Sequence, residues 1–247
     1  MRFETERIEQ MTFLPVLRVH GFDPDDERRR ESLFSLGNGV LLARSSIPWA
    51  GGESHYHGLY AAGFYNELPS EIAGETVWDE SLVNLPNGLF MTLRLDGDEL
   101  LQIDGDTVSS HEQELDLQHG TLRRSMTVRD EQMRETRLVE ERFVSMSQPD
   151  LIGLRIELTP CNWSGEVELV TAIDGDVENT AIKKHADFAN RHLVIESTAV
   201  TDDTAQLHAR TVHSGLDVTL TARDSINADD VHREALQEPL RAGHRYR

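Results

Sequence analysis

LIGLRIELT, residues 151–159, decides the fold class. Ile152, Leu154, Ile156 and Leu158 alternate with Arg155 and Glu157, the two-residue period of a strand that buries one face. The same period extends outward in both directions. LFMTLRL (89–95) gathers Leu89, Met91, Leu93 and Leu95 on one side and runs into Asp96-Gly97, a hairpin signal. LRRSMTV (122–128), EVELVTAI (166–173), HLVIES (192–197), AQLHARTV (205–212) and LDVTLTA (216–222) read alike. Turns fall at Asp104-Gly105, Asn162-Trp163-Ser164-Gly165 and Asp174-Gly175. Short strands separated by turns, without intervening helices, specify an antiparallel all-β sandwich or barrel with little helix.

Helical patterning is confined to two places. In VHREALQEPLRA (231–242), Val231, Ala235 and Leu236 can share a helical face before Pro239 interrupts it. DDERRRESLF (25–34) is short and charged, and reads as a solvated connection. The stretch from Gly37 to Asn87, rich in Gly, Pro and aromatics, reads as one long irregular region of the kind that carries function or packs as a loop.

Composition narrows the functional classes. The chain has 247 residues with 44 Asp and Glu against 24 Lys and Arg, a formal net charge of −20. Only Lys183 and Lys184 are lysines. Such a surface repels phosphate backbones and anionic lipid, which argues against nucleic-acid or membrane partners. It is explained equally by solubility and by adaptation to a salty cytoplasm that screens the repulsion. One cysteine, Cys161, leaves no internal disulfide and no cysteine metal cluster. The charged N-terminus, MRFETERIEQMTFLPV, lacks the apolar core of a secretory signal, so a cytoplasmic location is expected.

Three stretches, in order, resemble the N-terminal domain of glycoside hydrolase family 65, the maltose, trehalose and kojibiose phosphorylases. They are ESLFSLGNGVLLARSS (31–46), GLYAAGFYNELPSE with LVNLPNGLFMTLRLDGD (58–71 and 82–98), and RFVSMSQPDLIGLRIELTPCNWSGEVELVTAIDGDVENT (142–180). The match extends over roughly residues 31–195; LLARSSIP (41–48) departs from the family pattern and the residues beyond Asp224 match nothing recognisable. The resemblance implies a galactose-mutarotase-like super-sandwich occupying residues 1–247 as a single domain. It also implies that the (α/α)6 barrel, with the catalytic acid and phosphate site, lies outside these residues. The partners expected are that barrel, a disaccharide reached through it, and a second copy in a homodimer.

The residues themselves offer no ordered active site. Acid pairs such as Glu140-Glu141 and Asp79-Glu80 carry no weight among 44 acids, and neither a nucleophile elbow nor a phosphate loop is present. His55-Tyr56-His57 could aim two imidazoles at one ion from a strand, with Glu53 on the same face, but a zinc site needs a further conventional ligand. No metal and no cofactor are therefore expected. Gly37-Asn38-Gly39 reads as a tight turn in which Asn38 is structural, and Trp163 as a cap on the sandwich edge. The aromatic run within 49–70 is the candidate surface at a substrate entrance or interface: Trp49, His55, Tyr56, His57 and Tyr65, with Tyr60 and Phe64 equally suited to the core. A free-standing carbohydrate-binding or mutarotase-like sandwich is the alternative.

Overall fold

The computed structural model describes residues 15–50, 55–180 and 188–247. Seventeen strands and one short helix follow in order: β1 (Val16–His20), α1 (Glu27–Leu33), β2 (Leu36–Gly37), β3 (Leu41–Ala43), β4 (Leu59–Ala61), β5 (Tyr65–Ile72), β6 (Glu75–Leu82), β7 (Asn87–Leu95), β8 (Val108–Asp116), β9 (Thr121–Arg129), β10 (Glu135–Val144), β11 (Ile152–Pro160), β12 (Val167–Asp174), β13 (Leu193–Val200), β14 (Ala205–Thr211), β15 (Asp217–Ala222), β16 (Arg233–Gln237) and β17 (Arg241–Tyr246). Every strand read from the alternation is present, LIGLRIELT as β11.

The pairings are antiparallel throughout. A five-stranded sheet runs β1-β8-β9-β10-β11 and a four-stranded sheet runs β16-β17-β12-β7. The sheets face one another across a core in which Met126, Val128 and Leu138 meet Met91, Leu93 and Leu95. Burying each such side chain contributes about 1.5–3 kcal/mol. β13-β14-β15 forms a third sheet whose Leu207 and Ala209 pack on Ile173 of β12. A small β2-β3-β4 sheet and the β5-β6 hairpin complete this β-sandwich. Among the described residues, no helix is long and apolar enough to cross a membrane.

Three expectations fail here. VHREALQEPLRA is no helix but the β16-β17 hairpin, turning at Glu238-Pro239-Leu240. Helical spacing of Val231, Ala235 and Leu236 loses because Gly243 and Ala242, next in line, fit the crowded pairing with β12. Residues 25–34 are not a solvated connection. They form α1, and Glu27 and Glu31 are fully buried on its inner face. The stretch 37–87 is not irregular throughout: it holds β2 to β4 and the β5-β6 hairpin, with eight residues in each strand. That hairpin turns at Ala73-Gly74, both with positive φ, and its acids mask the alternation of Asn66, Leu68 and Ser70, which are the buried side chains of β5.

The turn readings at Asp96-Gly97 and Gly37-Asn38-Gly39 hold, whereas Asp174 ends β12 and Gly175 opens a segment without a hairpin turn. Asp96 and Gly97 have φ of 53° and 75°, the left-handed pair of a tight hairpin turn. Asn38 is structural: its Oδ1 accepts from the Val40 and Leu41 amides at 2.9 and 2.8 Å. Its Nδ2 donates to the Ser145 and Pro149 carbonyls at 2.6 and 2.9 Å, tying the turn to the β10-β11 loop. Trp163 is half-buried against the main core and donates to the Thr136 hydroxyl at 3.0 Å.

Candidate functional site

The inner face of the five-stranded sheet is apolar at both ends and charged in the middle. Strand alternation puts Thr136, Leu138, Glu140, Arg142 and Val144 of β10 inward together. In the ladder, Gln113 of β8 faces Arg124 of β9, which faces Glu140 of β10. This polar rung separates the Met126–Leu138 core from a second apolar cluster that includes Phe34, Leu36, Leu115, Leu122 and Val144. Arg124, Glu140 and Arg142 are each 1% exposed. Charges so completely removed from water persist only when paired and hydrogen-bonded. Glu140 takes both arginines, Arg124 Nη1 on one oxygen and Arg142 Nη2 at 2.6 Å on the other.

The guanidinium groups have further work. Arg142 donates to the carbonyls of Arg44 and Ser46, each at 2.8 Å, and Arg124 donates to the carbonyl of Ser45 between them. Gln113 Nε2 holds the Ser45 hydroxyl at 3.1 Å. Three consecutive carbonyls are thus clamped by two buried arginines from neighbouring strands. Burial pushes the Arg142 pKa down, against the upward pull of Glu140.

α1 closes the clamp from the other side. The Ser45 amide donates to the Glu31 carbonyl at 3.0 Å. The Glu31 carboxylate then reaches the aromatic segment, accepting from the Tyr56 amide at 3.0 Å and lying 3.1 Å from His55 Nδ1. The Tyr56 ring carries the Arg28 and Arg44 guanidinium groups at 5.6 and 5.2 Å from its centroid. Its hydroxyl lies 3.0 Å from that of Tyr60 and donates to the Glu178 carbonyl at 3.3 Å. Burial, reinforced by Tyr60, pushes the Tyr56 phenol far above its ordinary pKa.

Asn84 joins the remaining pieces. Its Oδ1 accepts from the Leu59 amide at 3.0 Å, its Nδ2 donates to the His57 and Glu178 carbonyls at 3.2 Å, and its amide donates to Asn179 Oδ1 at 2.8 Å. Glu31, Asn38, Asn84, Arg142 and Asn179 come from the three stretches 31–46, 82–98 and 142–180, which these bonds tie together. Beside them lies a cavity of about 10 Å³, lined by Ser46, His57, Asn87 and Arg142 among others, with room for about one water.

Of the five candidate residues, His55, Tyr56 and His57 converge, and Trp49 and Tyr65 do not. Trp49 is buried in the main core with Ile47 and Met91. His55 and Tyr56 are buried, and His57 is spent on internal bonds, Nδ1 to the Ser46 hydroxyl at 3.0 Å and Nε2 to the Ala50 carbonyl at 2.8 Å. Burial pushes its pKa down, so the neutral ring is favoured. Tyr65 stands apart, 45% exposed at the start of β5. Phe64 packs on the second apolar cluster. The two histidines do not face one ion, because residues 55–58 are not a strand and each ring turns to its own partner; Glu53 lies outside the described residues. A three-ligand grouping occurs elsewhere, at Glu196, His208 and Asp217 on β13 to β15. There the imidazole already bridges the carboxylates at 3.2 and 3.3 Å.

Sequence reasoning passed over Glu31, Arg124, Glu140 and Arg142. The signal was available for three of them: Arg124, Glu140 and Arg142 are in phase with Leu122, Met126, Leu138 and Val144.

Residues 17–247 match the model of the glycosyl hydrolase family 65 N-terminal domain. The chain belongs to this family. The match carries the family through the residues beyond Asp224, which the sequence motifs left unplaced. An uncharacterized glycosyl hydrolase of Mycobacterium tuberculosis is 39% identical over 92% of the chain, which spans 18% of that relative. Kojibiose phosphorylase of Halothermothrix orenii is 30% identical over 85% of the chain and 25% of its own length. A solved human-microbiome protein assigned as a kojibiose phosphorylase superposes with a TM-score of 0.75 at 17% identity, over 94% of this chain and 32% of that one. The chain therefore spans about a fifth to a quarter of the curated family 65 relatives it matches.

Proposed function

We propose that these residues form the non-catalytic N-terminal β-sandwich of a cytoplasmic family 65 phosphorylase or hydrolase acting on α-linked glucose disaccharides. The sandwich holds residues 47–50 and 55–57 in place and so shapes the substrate entrance and the subunit interface. One observation carries this reading: the stretches 31–46 and 142–180 meet in the clamp that fixes residues 44–46 and, through Glu31, His55 and Tyr56, while Asn84 of the stretch 82–98 ties in His57. The hydrogen bonds that Arg124 and Arg142 donate go to the carbonyls of residues 44–46 and to Gln113 and Glu140, the work of a scaffold rather than of proton transfer. The test is an assay of this chain with maltose, trehalose and kojibiose plus phosphate. No glucose 1-phosphate is expected; its release would overturn the reading.

A carbohydrate-binding role is the second reading, favoured by Trp78 and Tyr65, which are 53% and 45% exposed on the β5-β6 hairpin. Exposed aromatic faces suit sugar rings. Titration with maltose or kojibiose, followed by tryptophan fluorescence, tests it: saturable quenching supports it and a flat trace removes it.

A further inference from the structure

The five-stranded sheet ends on β11, and among the described residues no strand pairs with its far edge. The backbone direction follows from two flanking bonds, Ser145 amide to Leu151 carbonyl at 2.9 Å and Cys161 amide to Glu135 carbonyl at 2.8 Å. In an antiparallel pair, alternate residues bond to the same neighbour. Residues 151, 153, 155, 157 and 159 therefore turn toward β10, and Ile152, Leu154, Ile156 and Leu158 present their N–H and C=O groups outward. The inner row of β11 is also incompletely covered. Met126, Val128 and Leu138 on β9 and β10 are at most 1% exposed, whereas Leu154, Ile156 and Leu158 are only half-buried against the same core.

Several other edges in the molecule are short, bulged or covered, although the eight-residue β6 of the β5-β6 hairpin also has an unpaired side. β7, the nine-residue edge of the four-stranded sheet, is covered by Pro48, whose carbonyl takes the Met91 amide, and by Leu100 and Leu101. β13 carries a bulge between Ile195 and Ser197, and β1 and β16 have only five residues each. β11 runs nine residues in unbroken register with β10, with proline only at its end. Such an edge is a template for another strand.

We propose that β11 pairs antiparallel with β11 of a second copy of this chain, about a two-fold axis at Ile156. The charges choose both the occupant and the register. With the axis at Ile156, Arg155 of each copy faces Glu157 of the other, and Leu154 faces Leu158. Sliding the axis to residue 155 sets Arg against Arg, and sliding it to residue 157 sets Glu against Glu. The outward-facing groups of Leu154, Ile156 and Leu158 then form the hydrogen-bonded pairs. Arg155 and Glu157 fall at the closely spaced non-bonded pairs, where side chains interact best. The interface is isologous, so the Arg–Glu pair occurs twice. In one copy Arg155 already reaches Glu157 along the strand and Glu141 across it, and both side chains of the 155–157 pair are more than half exposed. The second Glu157 is thus added to an existing charge network, and substitutions here leave the core untouched.

Sedimentation equilibrium of the full chain, from micromolar to submillimolar in physiological salt, is expected to show a monomer–dimer equilibrium. Arg155→Glu or Glu157→Arg alone weakens dimerisation by about tenfold, and the double exchange Arg155→Glu/Glu157→Arg restores it. The native cysteine gives an independent readout. Spin labels on exposed Cys161, five residues from the axis in each copy, are expected about 33 Å apart at ~3.3 Å per residue. A monomer at all concentrations, a dimer indifferent to Arg155→Glu, a double exchange that stays monomeric, or a label distance far from about 33 Å overturns the proposal.

Discussion

Arg142 Nη2 lies 2.6 Å from Glu140 Oε1, two residues away on the same inner face of β10, and each side chain is at most 1% exposed. The same guanidinium holds the carbonyls of Arg44 and Ser46. The ion pair is thus also the donor set for a chain segment nearly a hundred residues upstream.

Glu140→Leu removes the shared carboxylate and strands two buried guanidinium groups. A loss of roughly 3–5 kcal/mol is expected, the usual cost of breaking a buried pair from one side. Apolar replacement of all three, Arg124→Met/Glu140→Leu/Arg142→Met, would rescue an ordinary buried triad. Here it is expected to remain destabilised, because the carbonyls of residues 44 to 46 lose their donors and stay buried. Urea unfolding of the two variants checks this; full recovery by the triple variant would show that the clamp on 44–46 contributes little.

Asn84 makes a second test of the same locus. Asn84→Asp keeps the acceptor for Leu59 but sets a carboxylate oxygen against the His57 and Glu178 carbonyls, where an amide now donates. The cost exceeds that of losing one neutral hydrogen bond, about 1 kcal/mol. Hydrogen exchange should show faster exchange in the 176–180 segment, with the Leu59 amide, β9 and β10 unaffected. Unchanged exchange in 176–180 would contradict the assignment.

Acid stability should be dominated by buried histidines. Burial, aided by the Arg124 charge, lowers the His111 pKa to about 4, and burial lowers those of His57 and His192. Below the ordinary value near 6.5, the unfolded chain takes up protons that the folded chain refuses. Stability is therefore full above about pH 6.5 and falls as the pH drops toward 4. For His111 the contribution is on the order of 3 kcal/mol. His111→Gln should flatten the fall in Tm between pH 7 and pH 4.5; a variant curve parallel to wild type would exclude His111 as a source.

How much of this was legible in the sequence depends on what each residue competes with. β11 was readable because its alternation is unmixed. β10 was not, since ETRLVEERFV carries charges on both faces and only the phase of Leu138 and Val144 marks Glu140 and Arg142 as internal. Local pattern states that a residue faces inward, not which carbonyl will meet it a hundred residues away. The convergence of Glu31, Asn84 and Arg142 is a property of topology. His55-Tyr56-His57 illustrates the same point: two imidazoles share a face only on a strand, and here Glu31 and Ser46 take the rings in other directions.

Gly243 explains why the C-terminal hairpin escaped helical patterning. A Cβ there would stand 1.9 Å from the Thr171 carbonyl and 2.6 Å from the Ala172 Cα, backbone atoms of β12 that cannot step aside. Its φ is not in the left-handed region, so the requirement is space alone. Gly39 is the opposite case, with φ of 87° and nothing within 4 Å of the added atom. Gly39→Ala should cost about 1 kcal/mol through backbone strain. Gly243→Ala should cost more, because overpacking forces β17 away from β12 along its length and typically costs about 1–3 kcal/mol or above. Thermal melts rank the two: a Gly243→Ala protein as stable as Gly39→Ala would mean that β17 is not seated against β12 at this register.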